Sequence, residues 1–403
     1  RGKGNFHCIH KHPELEGEQD ETCETYQCYL THVDEAPCEV GFKCPVRSIC
    51  GYYGPNNKGG AETAQVVVTN YAYGLGILNH TNMLAPGSLG LFQVIVSDEG
   101  HVLDEELHKH ITLKVSRRTA NRLFPIDLPD FPDGGSITHW KVWLKDEMEL
   151  LERAKERFIG LVKDEMSKEE IREAKTIERY LSYFQQIVNL DSNEWVVEPY
   201  EHGYDFQPVW VTEDSEAILF KMVDRHIIMS GTIPSETELG KKVGLRKRDF
   251  EFRRLPYTFP AENRPIIVDL RVSLARKDID ANLPLLVEAV DEYLELYFGI
   301  KVLIHTKNYR ITEYLKANSD YSHLFFTHTT HTRSAVLEEF RTAEAPAVLA
   351  SPSFDKAVDL PGDQCELIII PKIPYGFLGS KVMSRRAKED RRYYIHELSL
   401  IHI

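Results

Sequence analysis

Val94-Ile95-Val96-Ser97-Asp98-Glu99-Gly100-His101 reads as a buried strand that stops abruptly at two adjacent acids. A short β-branched run of this kind, taken with Leu91-Phe92-Gln93 before it, is typical of a strand buried on both faces of a parallel sheet. Open α/β sheets bind their ligands at the C-terminal ends of such strands. There, one carboxylate can hold Mg²⁺ while its neighbour orients and deprotonates a water that attacks a nucleotide phosphate. Two neighbouring anions repel, and a bound cation would compensate them. The plainer reading is a polar strand end entering a loop, and the pair alone does not decide between the two.

The sequence on either side extends the α/β pattern. Gln65-Val66-Val67-Val68-Thr69, Ala217 to Lys221 and Arg225 to Ser230 are expected strands. A second α/β region starts near residue 246. Its expected strands are Ile266 to Val268, Lys301 to His305, Leu324 to Phe326, Ala347 to Ala350 and Cys365 to Ile370, with a helix from Pro284 to Phe298. The Pro is expected in the first helical turn. Strands alternating with helices predict mostly parallel, doubly wound sheets. Between the two regions the period changes to 3.6. Met148, Leu151, Phe158 and Leu161/Val162 fit one helix face, and Ile171, Ala174, Ile177, Leu181, Phe184 and Ile187/Val188 fit another. Ser167-Lys168-Glu169-Glu170 between them is a capping box, so two antiparallel helices inserted into the α/β chain are expected.

Length and charge set outer limits. The 403 residues suit two to four domains. No apolar run approaches the ~20 residues that cross a bilayer, so no membrane partner is expected. Arg1-Gly-Lys-Gly-Asn-Phe is neither an initiator Met nor a signal peptide, which suggests a trimmed chain or a fragment. A net charge of −14 gives no general footprint for nucleic acid. Basic residues gather locally at Lys241-Lys242 to Arg246-Lys247-Arg248 and at Arg385-Arg386 to Arg391-Arg392, and the bland reading of both is a solvated face.

Seven cysteines, six of them within the first 50 residues, fit a metal or cluster better than disulfides. Cys38-x5-Cys44-x5-Cys50 follows Cys8, with Cys23 and Cys28 between. Four thiolates could ligate a [4Fe–4S] cluster or Zn²⁺, or remain unligated. The lack of CxxC pairs leans toward the cluster. Two further stretches carry hydroxyl residues after strands: Met229-Ser230-Gly231-Thr232-Ile233, and Ser351-Pro352-Ser353 running on to Val358-Asp359-Leu360-Pro361-Gly362-Asp363. Alone they read as a helix cap and a turn.

Their order is more telling than any one of them. Together with Gly2-Lys3-Gly4-Asn5-Phe6-His7-Cys8, Val67-Val68-Thr69-Asn70-Tyr71-Ala72-Tyr73, Leu303-Ile304-His305-Thr306 and Ile370-Pro371-Lys372-Ile373-Pro374-Tyr375, the series closely resembles the XPD/DinG family of superfamily-two DNA helicases over nearly the whole chain. The resemblance implies two RecA-like doubly wound motor domains with a cysteine-rich cluster insertion and a helical arch insertion. The implied layout is cluster domain 1–58, first motor domain 59–118 and 206–245, arch 119–205, and second motor domain 246–403.

It also implies roles. Asp98 would bind Mg²⁺, Glu99 would be the general base, and His101 would couple ATP hydrolysis to motion. Ser230 and Thr232 would form the coupling motif, and Asp359 the nucleotide-sensing position. Thr69, Tyr71, Ser351 and Ser353 would touch the DNA strand. Cys8, Cys38, Cys44 and Cys50 would hold the [4Fe–4S] cluster, with Cys28 the first substitute. The partners would be ATP, single-stranded DNA and forked duplex, with movement 5′ to 3′ and a cytoplasmic location, or a nuclear one in a eukaryote. Three departures exchange small residues and are expected to be tolerated: Gly100 and Gly231 stand where the family has Ala, and Ala357 where it has Gly.

No GxxxxGK[ST] phosphate loop occurs, since Leu239-Gly240-Lys241-Lys242 lacks the first Gly and the hydroxyl residue. Family order puts that loop before residue 1 and the arginine-finger motif after residue 403. The tail Leu398 to Ile403 resembles a translated adaptor. Both motor domains are therefore expected to be truncated, and the 403 residues alone to hydrolyse ATP negligibly, because an arginine finger by itself contributes roughly 10³–10⁵ in rate. The rival reading is a non-catalytic cluster- or zinc-bearing module. RNA is an alternative strand, since DNA rests on the resemblance alone.

Overall fold

The computed structural model describes residues 19–20, 28–29, 65–80, 93–124, 126–161, 168–233, 235–256, 260, 262, 265–275, 277–354, 358–372 and 378–391. They fall into two compact units, 1–251 with 378–389, and 252–377 with 390–403. Cys8, Cys23, Cys38, Cys44 and Cys50 lie outside the described residues, whereas Cys28 opens strand β2 (Cys28–Tyr29), antiparallel to β1 (Gln19–Asp20).

In the first unit, β3 (Val94–Ser97) precedes the acids as expected and pairs in parallel with β7 (Arg225–Ile228), Val94 opposite Arg225 and Ser97 opposite Ile228. Successive side chains alternate between faces. Ile95 and Ile228 point to a core made with α1 (Tyr71–His80), α2 (Leu103–Ile111) and the buried Leu239 and Val243 of α8 (Glu236–Val243). Val94, Val96 and Ile227 point the other way and are 43%, 56% and 52% exposed.

Two expected strands here do not form. Gln65–Thr69 has no strand partner among the described residues, and Val66 and Val68 are 79% and 93% exposed. Ala217–Lys221 instead ends a helix, α7 (Thr212–Ile218), followed by a 3₁₀ turn at Phe220–Met222. The bonds Ser215 N to Val211 O and Leu219 N to Ser215 O have helical spacing, and they let Leu219 pack in the same core as Leu103.

The inserted region is larger than its two expected helices. After β4 (Leu113–Ser116) and α3 (Arg117–Leu123) come α4 (Ile137–Asp146), α5 (Met148–Leu161) and α6 (Lys168–Asn189). β5 (Trp195–Tyr200) and β6 (Gly203–Pro208) then close a three-stranded antiparallel sheet ordered β4-β6-β5. The α6 pattern holds, with Ala174, Ile177, Phe184 and Ile187 buried. On α5, Leu151 and Ala154 are buried, while Met148, expected on that face, is 47% exposed; Ser167 of the capping box lies outside the described residues. Trp140 is fully buried among Phe124, Phe184, Tyr204 and Phe206, and its indole N–H donates to Gly134 O at 2.9 Å. Gly203 is needed where β6 crosses β4, because a Cβ there would meet Val115 O at 2.0 Å.

The second unit is a four-stranded, all-parallel sheet ordered β11-β8-β10-β9, built from β8 (Lys301–His305), β9 (Phe325–Phe326), β10 (Ala347–Ser351) and β11 (Leu367–Ile369). Val302, Ile304, Val348 and Ala350 face a core with α9 (Ile279–Leu296) and α10 (Tyr309–Asn318). Leu303, Ala347 and Leu349 face Phe340 of α11 (Arg333–Thr342) on the other side. Helices on both faces make it doubly wound, in agreement with the sequence expectation. Lys301 is buried inside β8, and its ammonium donates to Phe340 O and Arg341 O at 2.9 and 3.1 Å, where a cation offsets the negative end of α11. Ile266–Val268 forms no strand and is exposed, with no backbone partner among the described residues. Pro284 lies inside α9, five residues past its start, rather than in its first turn.

Residues 378–389 belong to the first unit and contain α12 (Lys381–Glu389). Arg386, 4% exposed, grips Asp104, 7% exposed, in the first turn of α2: Nη1 to Oδ2 at 2.8 Å and Nη2 to Oδ1 at 3.3 Å. Its Nε also donates to Val209 O, and its guanidinium lies 4.8 Å over the Trp210 ring. Lys381 Nζ donates to Val197 O at 2.7 Å. Among the described residues no helix is long and apolar enough to cross a membrane.

Candidate functional site

The C-terminal ends of β3 and β7 bring five expected residues together. Asp98 and Glu99 are exposed at the end of β3, and the Glu99 amide is held by Asp98 Oδ1 at 2.9 Å. That turn places Glu99 at φ 49°, ψ 44°, the left-handed region, which costs a non-glycine residue about 1–2 kcal/mol. The Gly100 N–H donates to Met229 O at 2.8 Å and so closes β3 against β7. This close approach gives the glycine a specific purpose. A Cβ at 100 would stand 2.2 Å from Ile228 Cγ2, whereas one at 231 would meet nothing within 4 Å. A side chain is therefore crowded at 100 and has room at 231, so the glycine that stands at 100 where the family has Ala suits this close packing.

His101 is buried beneath the acids. Its Nδ1 lies 2.9 Å from Ser230 Oγ and 3.2 Å from Glu99 Oε2. Ser230 Oγ also accepts from the Thr232 N–H at 3.2 Å and lies 3.3 Å from Thr232 Oγ1. One imidazole thus links the acid at the β3 end to both hydroxyl residues after β7.

Two supports were not expected from the sequence. Ser97 Oγ lies 2.7 Å from His226 Nε2 on the neighbouring strand, and burial pushes the His226 imidazole down to about 4. Tyr71 donates its hydroxyl to Asp98 O at 2.5 Å; burial, followed by the nearby Asp98 and Glu99 charges, raises its pKa. Tyr71 was expected at the DNA strand, and its polar tip is used inside the acid turn. Only the β3–β7 register reveals His226, since 129 residues separate it from Ser97. Thr69 is exposed, and next to it Asn70 caps α1 through a bond from the Tyr73 N–H at 2.8 Å.

In the second unit, Ser351 ends β10 and Ser353 follows it. Ser351 Oγ lies 2.7 Å from His328 Nε2 and accepts from the Ser353 N–H at 3.1 Å. Thr306, just after β8, is buried, with its Oγ1 2.5 Å from Thr312 Oγ1 and its N–H donating to Ser351 O. Lys307 follows at φ 69°, also left-handed and exposed. Asp359 is exposed, and its carbonyl accepts from Arg341 at 3.0 Å.

In the basic run at 241–248 the solvated-face reading fits Arg246, Lys247 and Arg248, which are exposed, Lys247 pairing with Glu236 and both arginines with Asp249; it does not fit Lys242, which is buried, nor Arg386 of the second run, which is buried against Asp104. No group of three or more metal-ligating side chains occurs among the described residues.

A family model, the helicase C-terminal domain, matches residues 300–397. Comparison with curated proteins gives no match. Among solved structures, S. tokodaii Xpd4 is 16% identical, with a TM-score of 0.46 over 82% of this chain and 72% of that one. An XPD helicase is 13% identical, with a TM-score of 0.41 over 76% of this chain and 61% of its own. An apo XPD structure is 13% identical, with a TM-score of 0.42 over 76% of this chain and 68% of its own. The four-stranded parallel sheet beginning at Lys301 lies within the residues that match the helicase C-terminal domain model.

Proposed function

We propose that this chain is the body of an ATP-dependent DNA helicase that moves 5′ to 3′ on single-stranded DNA and opens forked duplex. One observation carries the reading: exposed Asp98 and Glu99 end a parallel strand, and buried His101 joins Glu99 to Ser230. The match at residues 300–397 supports it independently.

Asp98 and Glu99 suit a hard cation, being two exposed carboxylates on one turn. Bound there, Mg²⁺ would neutralise charge on the nucleotide phosphates. In this reading Asp98 holds the ion and Glu99 accepts the proton of the attacking water. His101 passes the resulting displacement of Glu99 to Ser230 and Thr232. Asp359 senses the nucleotide from the second motor domain. Thr69, Tyr71, Ser351 and Ser353 belong to the strand-binding side. A [4Fe–4S] cluster on Cys8, Cys38, Cys44 and Cys50, with Cys28 as substitute, would stand where the duplex splits; that assignment rests on the spacing of the thiols and the resemblance.

The test uses protein in which this chain is joined to the phosphate loop and arginine finger that family order assigns to its two ends. Glu99→Gln is expected to cut DNA-stimulated ATP turnover by roughly 100-fold or more, the lower end of the range for a general base, while nucleotide still binds. Turnover equal to the parent would end the motor reading. Iron with acid-labile sulfide after anaerobic purification supports the cluster, and stoichiometric zinc without iron would replace it.

A further inference from the structure

The last turn of α9 carries no basic residue, although the carbonyls that end a helix favour a cation there. Glu295 stands in that turn instead, exposed and without an ion-pair partner among the described residues. The chain then passes through Tyr297, Phe298 and Gly299 toward β8. Leu296 and Phe298 are 70% and 62% exposed, whereas Leu283, Leu286, Val290 and Leu294 of the same helix lie in the core. A Cβ at Gly299 would meet nothing within 4 Å, so the space beside Phe298 is open.

A second loop completes the surface. Asp291 accepts from Ser319 Oγ at 2.5 Å and from the Asp320 N–H at 2.9 Å, which holds Asp320 and Tyr321 against α9. The Phe298 and Tyr321 rings stand 6.2 Å apart. Burial, followed by the charges of Glu295, Asp291 and Asp320, raises the Tyr321 pKa, so three acids surround the same ring. Among the described residues no cation lies over either ring, because the basic side chains of neighbouring elements are committed elsewhere. Arg271 binds Asp269 and Glu292, Lys316 binds Ser322 O and Phe325 O, and Lys301 binds Phe340 O and Arg341 O.

Bare apolar and aromatic side chains inside a rim of acids restrict what can cover them. The acids repel phosphates, and the patch precedes β8, at the end of the sheet opposite Thr306 and Ser351, so neither nucleotide nor nucleic acid suits it. A second copy of a chain with net charge −14 is repelled as well. Arginine stacks on aromatic faces while its guanidinium binds carboxylates, and both residue types are enriched where proteins meet.

We propose that the end of α9, with Leu296, Phe298 and Tyr321 rimmed by Glu295 and Asp320, docks a partner protein through a short segment in which arginine stands next to apolar side chains. The guanidinium covers the two rings and binds Glu295, its charge offsets the negative end of α9, and an apolar neighbour covers Leu296. The inference is independent of the motor reading.

Fluorescence anisotropy of a labelled synthetic peptide of about twelve residues, Arg alternating with Leu, tests it on the 403-residue chain at about 0.15 M salt. The parent is expected to bind saturably, and a peptide with Glu in place of Arg is expected not to bind. Phe298→Ala and Glu295→Lys are each expected to weaken binding about tenfold or more, as for loss of an interface anchor. Glu178→Lys makes the same charge change at an exposed site on α6 and is expected to stay within about threefold of the parent. Unlabelled oligothymidylate is expected not to compete. A parent that binds no peptide overturns the proposal, as does equal loss in Glu178→Lys, which would reduce binding to the charge of the whole chain. Undiminished binding by Glu295→Lys also overturns it, and this change at an exposed carboxylate keeps the test decisive even if Phe298→Ala does not fold. Competition by oligothymidylate would overturn it in favour of nucleic acid. A parent dimer in sedimentation velocity that Phe298→Ala dissolves would overturn it in favour of a second copy.

Discussion

Replacing Arg386 by Met keeps the length of the side chain and removes its charge from a place where that charge has no solvent to fall back on. Arg386 and Asp104 are 4% and 7% exposed and meet through two N–H to oxygen bonds, while Arg386 Nε holds Val209 O and the guanidinium covers Trp210. A buried pair of this kind adds little over apolar residues of the same volume, but breaking it leaves one charge uncompensated, at a cost of about 3–5 kcal/mol. For a unit of this size each kcal/mol moves the melting temperature by roughly 2–4 °C, so a drop on the order of 10 °C is expected in the transition of the first unit. Differential scanning calorimetry can follow it, since the two units need not melt together. The double variant Arg386→Met/Asp104→Leu removes both charges and is expected to recover most of the loss. A single variant melting within 2 °C of the parent would refute the reasoning. So would a double variant no better than the single one.

Other perturbations probe the acid site and its surroundings. Gly100→Ala forces a Cβ into Ile228 and is expected to cost about 1–3 kcal/mol in urea unfolding, while Gly231→Ala stays within about 0.5 kcal/mol; equal effects would contradict the packing described. His226 titrates near 4 when folded and near 6.5 when unfolded, so the unfolded chain binds more protons between those values. Stability is therefore expected to be fully present above about pH 6.5 and to fall as the pH drops toward 4, by on the order of 3 kcal/mol. His226→Phe should flatten that slope in chemical unfolding curves collected across the window, and an unchanged slope would assign it to other groups. Trp140→Ala should cost about 3–5 kcal/mol because the ring lies wholly inside the inserted region; a shift below 1 kcal/mol would mean that core can close around the gap.

What the sequence made legible was local. β3 and its acids, the 3.6-residue period of α6 and the apolar runs of β8 and β10 each state their structure within a few residues. Three features were not legible, because their partners are remote. The sheet β4-β6-β5 pairs Lys114 with Asp205, across the four helices α3 to α6. The Arg386–Asp104 pair joins residues 282 apart, and no spacing rule reaches that far. Hydrophobic runs at Gln65–Thr69 and Ile266–Val268 promised strands, but a strand needs a neighbour to satisfy its backbone, and none of the described residues supplies one. Within the site, motif order identified Asp98, Glu99, His101, Ser230 and Thr232, which the fold brings together. It could not separate the buried Ser351 from the partly covered Ser353, because burial is a property of the packed strand end and not of the letters.

Glu99 and Lys307 both follow parallel strands and both hold a backbone shape that glycine would adopt with less strain. Glycine at either place would relieve the left-handed penalty while adding freedom to the unfolded chain, for a net gain of up to about 1 kcal/mol. The protein forgoes that gain twice, keeping an acid at the rim of one sheet and a base at the rim of the other. Thermal robustness and electrical character pull against each other at these two positions, and a selection for heat resistance alone would be expected to erase them first.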